Sequence, residues 1–227
     1  AQIKILDQTG EREEALDMRF RLAHLYEQEF GDMEKAATLY KDILQVDPSH
    51  AATVDYLEGL LSEGRTLEGA MELLEAAYEQ KGDWKKYLDI LETQVRQSRV
   101  MARRLELLKK IANIQENKMG LKTLAFNTYV RMFHEDLTSD EIRSSLERIA
   151  AEDENLEALA AVYEEELDNV EEPAIGSAIA LKVAQIQEAE LEDEQEAMNF
   201  YRTCLRFDAK NTEALKALDR LYEKNET

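Results

Sequence analysis

The chain has 227 residues and sets 49 Asp and Glu against 28 Lys and Arg, a formal net charge of −21. That balance opposes general nucleic-acid binding, which rests on Lys and Arg neutralising phosphates, whereas a long helical surface carries such a charge simply as solubility. No apolar run approaches the roughly 18 residues that a membrane span needs, and Cys204, the single cysteine, has no partner within these residues for a disulfide.

Eight Gly and two Pro interrupt a chain rich in Ala, Leu, Glu, Lys, Gln and Arg, all good helix formers, so the expected class is all-α. Residues 1–10 place Ile3, Ile5 and Leu6 ahead of Gly10, as the stub of a preceding helix or an ordered arm. Helical periodicity then predicts helices over about 11–30, 33–46 and 49–63, with Gly64 as the stop, and over 67–81, which carries Leu67, Met71, Leu74 and Tyr78. Asp83 is placed to cap a helix opening at Trp84. No Gly or Pro lies between Trp84 and Lys118, and a break near Gln97 and Ser98 is expected before a helix over 100–117. Helices over 120–134, 139–151 and 154–168 follow, with Thr138 and Glu141 as a capping box for the second of these. After the acidic loop ending at Pro173 come 175–190, 194–206 (introduced by Asp193) and 210–224, for about twelve antiparallel helices.

The chain repeats itself. Leu22, Ala23, Leu25, Ala36, Tyr40, Leu44, Asp47, Leu57 and Leu60 return, 89 residues on, as Ile111, Ala112, Ile114, Ala125, Tyr129, Phe133, Asp136, Leu146 and Ile149. They return again as Val183, Ala184, Ile186, Ala197, Tyr201, Leu205, Asp208, Leu218 and Leu221. The copies occupy about 16–63, 105–152 and 177–224. Repetition over tens of residues marks a helical solenoid, so residues 1–227 are expected to form one α-α superhelix, a section of a longer array. Alanines at 23, 112 and 184 are the expected close crossing points of paired helices, and the last helix is expected to expose the apolar stripe Leu215, Leu218 and Leu221.

Leu22-Ala23 and Tyr26 on a first helix, Gly31-Asp32 in the turn, then Ala36, Tyr40 and Ile43 on a second, closed by Asp47-Pro48, resemble the tetratricopeptide repeat. That repeat is a helix–turn–helix of roughly 34 residues. Asp47 is expected to cap the following helix with Pro48 at its first position. The match is degenerate: one extra residue separates Tyr26 from Ala36, and Pro48 becomes Leu137 and Ala209 in the other copies. The resemblance implies a protein-binding scaffold whose first helices line an inner groove. In some members Lys and Asn on first helices grip a carboxyl terminus; Lys109 and Asn113 match the start of that clamp, but Ser144 and Ser145 stand near where its second Asn belongs.

No catalytic constellation emerges. His24, His50 and His134 are far apart in sequence, and none has a Cys or second His at metal-ligand spacing. Glycines stand singly, so there is no phosphate loop, and the acidic run from Glu188 to Glu196 lacks the Gly of a calcium loop; a solvated acidic face is the ordinary account. Cys204, between Tyr201 and Leu205, is expected to be a buried small hydrophobe. No enzyme activity, cofactor or metal is expected.

One stretch runs against the general charge. Between Arg96 and Lys122 eight Lys or Arg face two acids, Glu106 and Glu116. Arg96, Arg103 and Lys110 recur every seven residues and would share a face of a continuous helix. Arg96, Arg99, Arg103, Arg104, Lys109, Lys110 and Asn113 are therefore the candidate contacts for an acidic protein or peptide partner, against the ordinary alternative that they neutralise acidic neighbours in the stack. The expected function is a non-enzymatic interaction scaffold in the cytoplasm, a mature exported chain being the alternative location. The rival functions are a regulatory or substrate-presenting domain of a larger enzyme and an RNA-processing scaffold of the related half-repeat kind. No membrane or nucleic-acid partner is expected; self-association through exposed terminal helices is.

Overall fold

A computed structural model describes residues 12–62 and 69–225. Among these, twelve α-helices follow one another: α1 Arg12–Gln28, α2 Met33–Val46, α3 Ala51–Ser62, α4 Ala70–Lys81, α5 Trp84–Gln97, α6 Met101–Asn113, α7 Lys122–Glu135, α8 Asp140–Glu152, α9 Leu156–Glu166, α10 Pro173–Ala189, α11 Glu194–Phe207 and α12 Thr212–Asn225. The class is all-α, as the composition requires. The expectations placed on residues 1–10, Gly64 and Leu67 lie outside the described residues. Within the chain two compact units divide after Gln97. The first copy of the repeat lies in the first unit, and the second and third copies lie in the second. In the first unit α1 packs on α2, α2 and α3 on α4, and α4 on α5; in the second each helix from α6 to α12 packs on the next.

The repeated positions account for the core. Ala23, Ala112 and Ala184 on first helices, and Ala36, Ala125 and Ala197 on second ones, are all fully buried, so paired helices approach over methyl groups. Ile43, Leu44, Phe133, Leu57, Leu146 and Ile149 fill the space around them. Leu25 departs from its equivalents: it is 44% exposed, where Ile114 and Ile186 are buried. Gly176 makes the closest approach, since a Cβ there would stand 2.6 Å from the ring of Phe207 on α11.

Turn chemistry repeats as well, although not always as the sequence suggests. Asp32 and Asp193, equivalent residues, cap α2 and α11 by accepting from the N–H of Lys35 and Glu196 at 3.1 and 2.9 Å. Asp47 does not cap α3. Its Oδ1 accepts from Ser49 N at 2.9 Å, as Asp136 does from Thr138 and Asp208 from Lys210, each at 3.0 Å. These are three copies of one Asx-turn, so Pro48 sits in a turn rather than at a helix start. The capping box at Thr138 is displaced by one residue: Ser139 caps α8 on Ile142 N, because the hydroxyl of Thr138 bonds Asp136. Pro173 is the first residue of α10, not the end of a loop. The turn between first and second helices needs a left-handed residue, which Gly31 (φ 64°) and Gly120 (φ 68°) supply; the third copy places Glu192 there at φ 54°.

A glutamate, buried at Glu27 and partly buried in the other cases, ties a helix pair to the next helix. Glu27 of α1 accepts from Tyr40 Oη of α2 at 3.3 Å and from Tyr56 Oη of α3 at 2.7 Å. Glu116, in the π-helical end of α6, accepts from Tyr129 of α7 at 3.5 Å and from both Nη atoms of Arg148 of α8 at 2.8 and 3.0 Å. Glu188 of α10 takes Tyr201 of α11 at 2.8 Å and Arg220 of α12 at 2.5 Å. Two further helix pairs follow the same rule. Glu58 of α3 takes Tyr78 of α4 and Lys86 of α5, the latter at 2.6 Å; Glu147 of α8 takes Tyr163 of α9 at 3.0 Å and Lys182 of α10 at 3.2 Å. The structural repeat is therefore a glutamate on a first helix, a tyrosine on the second, and a cation or phenol on the next first helix. It occurs at α1–α2, α3–α4, α6–α7, α8–α9 and α10–α11.

Candidate partner-binding surface

The basic stretch divides between two helices. α5 ends at Gln97, residues 98–100 are not helical, and α6 begins at Met101, so the break falls where the sequence places it. The seven-residue spacing of Arg96 with Arg103 and Lys110 therefore does not define one helical face. Arg96 belongs to the last turn of α5 in the first unit, where its Nη2 donates to Thr93 Oγ1 at 2.9 Å. Arg99 lies in the connection, and Arg103, Arg104, Lys109, Lys110 and Asn113 all lie on α6.

Of the residues that α6 brings together, several are engaged within the stack. Arg104 meets Glu135 at the end of α7 with both guanidinium arms, Nε at 2.7 Å, and is roughly a quarter exposed. The guanidinium holds the Glu135 carboxyl below its usual range despite the opposing effect of burial. The equivalent pairs explain this contact: where the second copy has Arg104 and Glu135, the first has Ala15 and Val46 and the third has the close pair Gly176 and Phe207. An ion pair thus stands where the third copy has an apolar contact. Lys109 bonds Glu141 of α8, and Asn113 Oδ1 accepts from Asn117 at 2.8 Å, so neither is arranged as half of a carboxylate clamp. Lys122 pairs with Glu152 at 3.2 Å.

Arg99, Arg103, Lys109 and Lys110 all lie on the exposed surface, Lys109 keeping its side chain 61% exposed in the pair with Glu141. Arg103 reaches Glu106, one turn along, at 3.2 Å with both side chains largely exposed, an arrangement worth little and easily exchanged. Position 103 is not repeated, being Glu14 and Ile175 in the other copies, whereas position 110 is basic in all three as Arg21, Lys110 and Lys182.

Other candidates resolve into structure. His50 is buried, with Nδ1 2.9 Å from Thr53 Oγ1 and Nε2 3.3 Å from Asp17. His134 meets Glu166 of α9 at 2.6 Å, and the His24 ring stands edge-on to Tyr56 at 5.1 Å. Cys204 is fully buried beside Ser177, at 3.3 Å, and burial pushes its thiol up. Glu188, assigned by the sequence to a solvated acidic face, instead points inward to Tyr201 and Arg220. On α12 the predicted stripe is exposed at Leu215 but covered at Leu218 and Leu221; Tyr222, also exposed, carries Arg202 on its ring and hydroxyl. No helix of the described residues is long and apolar enough to cross a membrane.

A second surface had no signal in the charge pattern. Between α2 and α4 in the first unit runs a furrow of about 640 Å³. Met33, Ala37, Leu44, Leu73, Ala76 and Ala77 line it, with Glu34, Lys41 and Glu72 among its polar residues.

The family comparison agrees with a helical repeat. The tetratricopeptide repeat family matches residues 16–50, which span α1, α2 and the Asx-turn after them. No curated protein sequence matches the chain. Among solved structures, a human IFIT1 dimer with PPP-AAAA is similar at 17% identity and a TM-score of 0.30, and a human IFIT1 dimer with m7Gppp-AAAA at 16% and 0.29. Each comparison covers 97% of this chain, which spans 62% of the length of either IFIT1 chain.

Proposed function

We propose that this tetratricopeptide-like helical-repeat chain is a non-enzymatic scaffold that binds a partner protein. The carrying observation is that the copies share an internal skeleton, the alanine crossings and the Glu–Tyr bond, while their exposed residues differ. Shared core positions serve stacking, while exposed positions that differ between copies, such as position 103, suit recognition. A protein partner accords with the net charge of −21 and with the use of Arg104, Lys109 and Lys122 on Glu135, Glu141 and Glu152, which leaves less cationic surface for a phosphate backbone.

The proposed contact is an acidic segment of the partner meeting Arg99, Arg103 and Lys110 on the second unit. A positive strip on a strongly negative molecule directs an acidic segment to that place and speeds its encounter. The test is affinity capture with the folded chain, followed by association kinetics of the retained protein with the Arg103→Glu, Lys110→Glu double variant. Slower association and a flatter salt dependence at unchanged helical content are expected. Unaltered rates and salt dependence would remove the strip from the binding surface, and failure to retain any protein under native conditions would count against the scaffold itself.

A further inference from the structure

The furrow between α2 and α4 is lined by small side chains, one of them at a position that is large in the other copies. Ala37 lies in its floor and is only half-buried. The equivalent residues are Phe126 on α7 and Met198 on α11, both large and both buried, at 3% and 6% exposure. Opposite Ala37, α4 presents Ala76 and Ala77, so small side chains line both walls. At the entrance Met33 is 49% exposed, a flexible and polarisable side chain suited to adapting around an incoming group. The volume of about 640 Å³ lies within the roughly 300–1,000 Å³ of sites that bury a ligand. Glu34 and Glu72 stand on the rim against Lys41, which gives the described rim an excess of negative charge.

We propose that this furrow receives a large apolar side chain, of the Phe or Met class, from a Lys- or Arg-flanked helical segment of a partner protein. The incoming side chain fills the space that the small residues leave between α2 and α4, and the flanking cations meet Glu34 and Glu72. This is helix-in-groove recognition, in which apolar anchors one helical turn apart enter the groove and charged flanks set orientation. The proposal rests on the scaffold reading but uses a different surface from the basic strip, and a partner of opposite charge.

The test uses two synthetic Lys-flanked, Ala-based helical peptides, one with Phe at two positions four residues apart and the other with Ala at both. Each is titrated into the full chain carrying ¹³C-methyl methionine, with the Met33 signal assigned through Met33→Leu. The Phe peptide is expected to shift the Met33 methyl while the Ala peptide leaves it in place. Ala37→Phe and Ala37→Met, which install the residues of the second and third copies, are expected to weaken Phe-peptide binding by about tenfold or more while keeping the helical circular dichroism. The Met variant serves if the Phe variant misfolds. An unmoved Met33 signal, or equal affinity for wild type and the folded filled variant, overturns the proposal. The furrow fails independently of the scaffold, because partner capture and the Arg103→Glu, Lys110→Glu kinetics do not read Ala37.

Discussion

The hairpins α1–α2 and α6–α7 are built on one plan, yet they differ wherever a side chain leaves the shared core. Both bury alanines at the crossing, bond a tyrosine to a glutamate thirteen residues earlier and close on the same Asx-turn. At the crossing beyond, the first has Ala15 and Val46 where the second has the Arg104–Glu135 pair. On the second helix, the first has Ala37, which lines a furrow, where the second has the buried Phe126. The glutamate is met by Tyr56 in one and by Arg148 in the other. A repeat thus conserves how helices approach and lets the identity of the filling group vary; the surfaces that differ most are those assigned here to recognition.

The broadest way to break this comparison is alkali, because every hairpin would respond together. Burial, with the neighbouring carboxylate adding to it, holds the phenols of Tyr40, Tyr78, Tyr163 and Tyr201 well above their ordinary 10.0, and Tyr87 is pushed up to about 12. In the unfolded chain these phenols ionise near 10, while the folded ones stay protonated. The unfolded state therefore binds fewer protons above that pH, and stability falls as pH rises. Urea midpoints measured from pH 8 to 11 should drop steeply above about pH 10; a flat profile would mean that the tyrosines are solvated.

At the crossing points the expected effect is smaller and local. Ala112→Leu should cost roughly 1–3 kcal/mol through overpacking, read by chemical denaturation, and Ala23→Leu should behave alike if the first two copies are equivalent. A neutral Ala112→Leu would undo the alignment of the copies.

The smallest effect sharpens the comparison with the third copy. Glu192 occupies the left-handed position that Gly31 and Gly120 fill elsewhere, and side chains there are strained. Glu192→Gly should raise stability by about 0.5–1 kcal/mol, seen as a higher midpoint in thermal or urea unfolding.

Much of this plan was legible in the sequence. Helix periodicity and the recurring Leu, Ala and Tyr positions located twelve helices, the break before α6 and three of the hairpins, because core packing repeats residue for residue. The hairpins α3–α4 and α8–α9 were not legible as repeats. Their Glu and Tyr, 58 with 78 and 147 with 163, stand at separations different from the thirteen residues of the other three. The glutamates were passed over although Glu27, Glu116 and Glu188 recur in register, because an acidic residue on a helix of a strongly negative chain is ordinarily solvated. Only a third helix some 30 residues away, bringing Tyr56, Arg148 or Arg220, makes the position internal. For the same reason the sequence could gather the basic residues near α6 without showing that Arg104 and Lys109 are engaged by Glu135 and Glu141. The α2–α4 furrow left no charge signal, and small alanines facing each other across two helices are visible only once those helices are paired.

One glutamate per hairpin is an internal fixture, while its neighbours on the same helix are not. Glu116→Gln and Glu106→Gln each remove one negative charge near the end and the middle of α6, so general charge repulsion changes alike in both. Glu116 is bonded by Tyr129 and by both arms of Arg148, whereas Glu106 meets Arg103 in an exposed pair. Urea denaturation should show Glu116→Gln destabilised by on the order of 1–3 kcal/mol and Glu106→Gln within about 0.5 kcal/mol of the parent. Equal midpoints for the two variants would contradict the claim and return Glu116 to the solvated acidic surface.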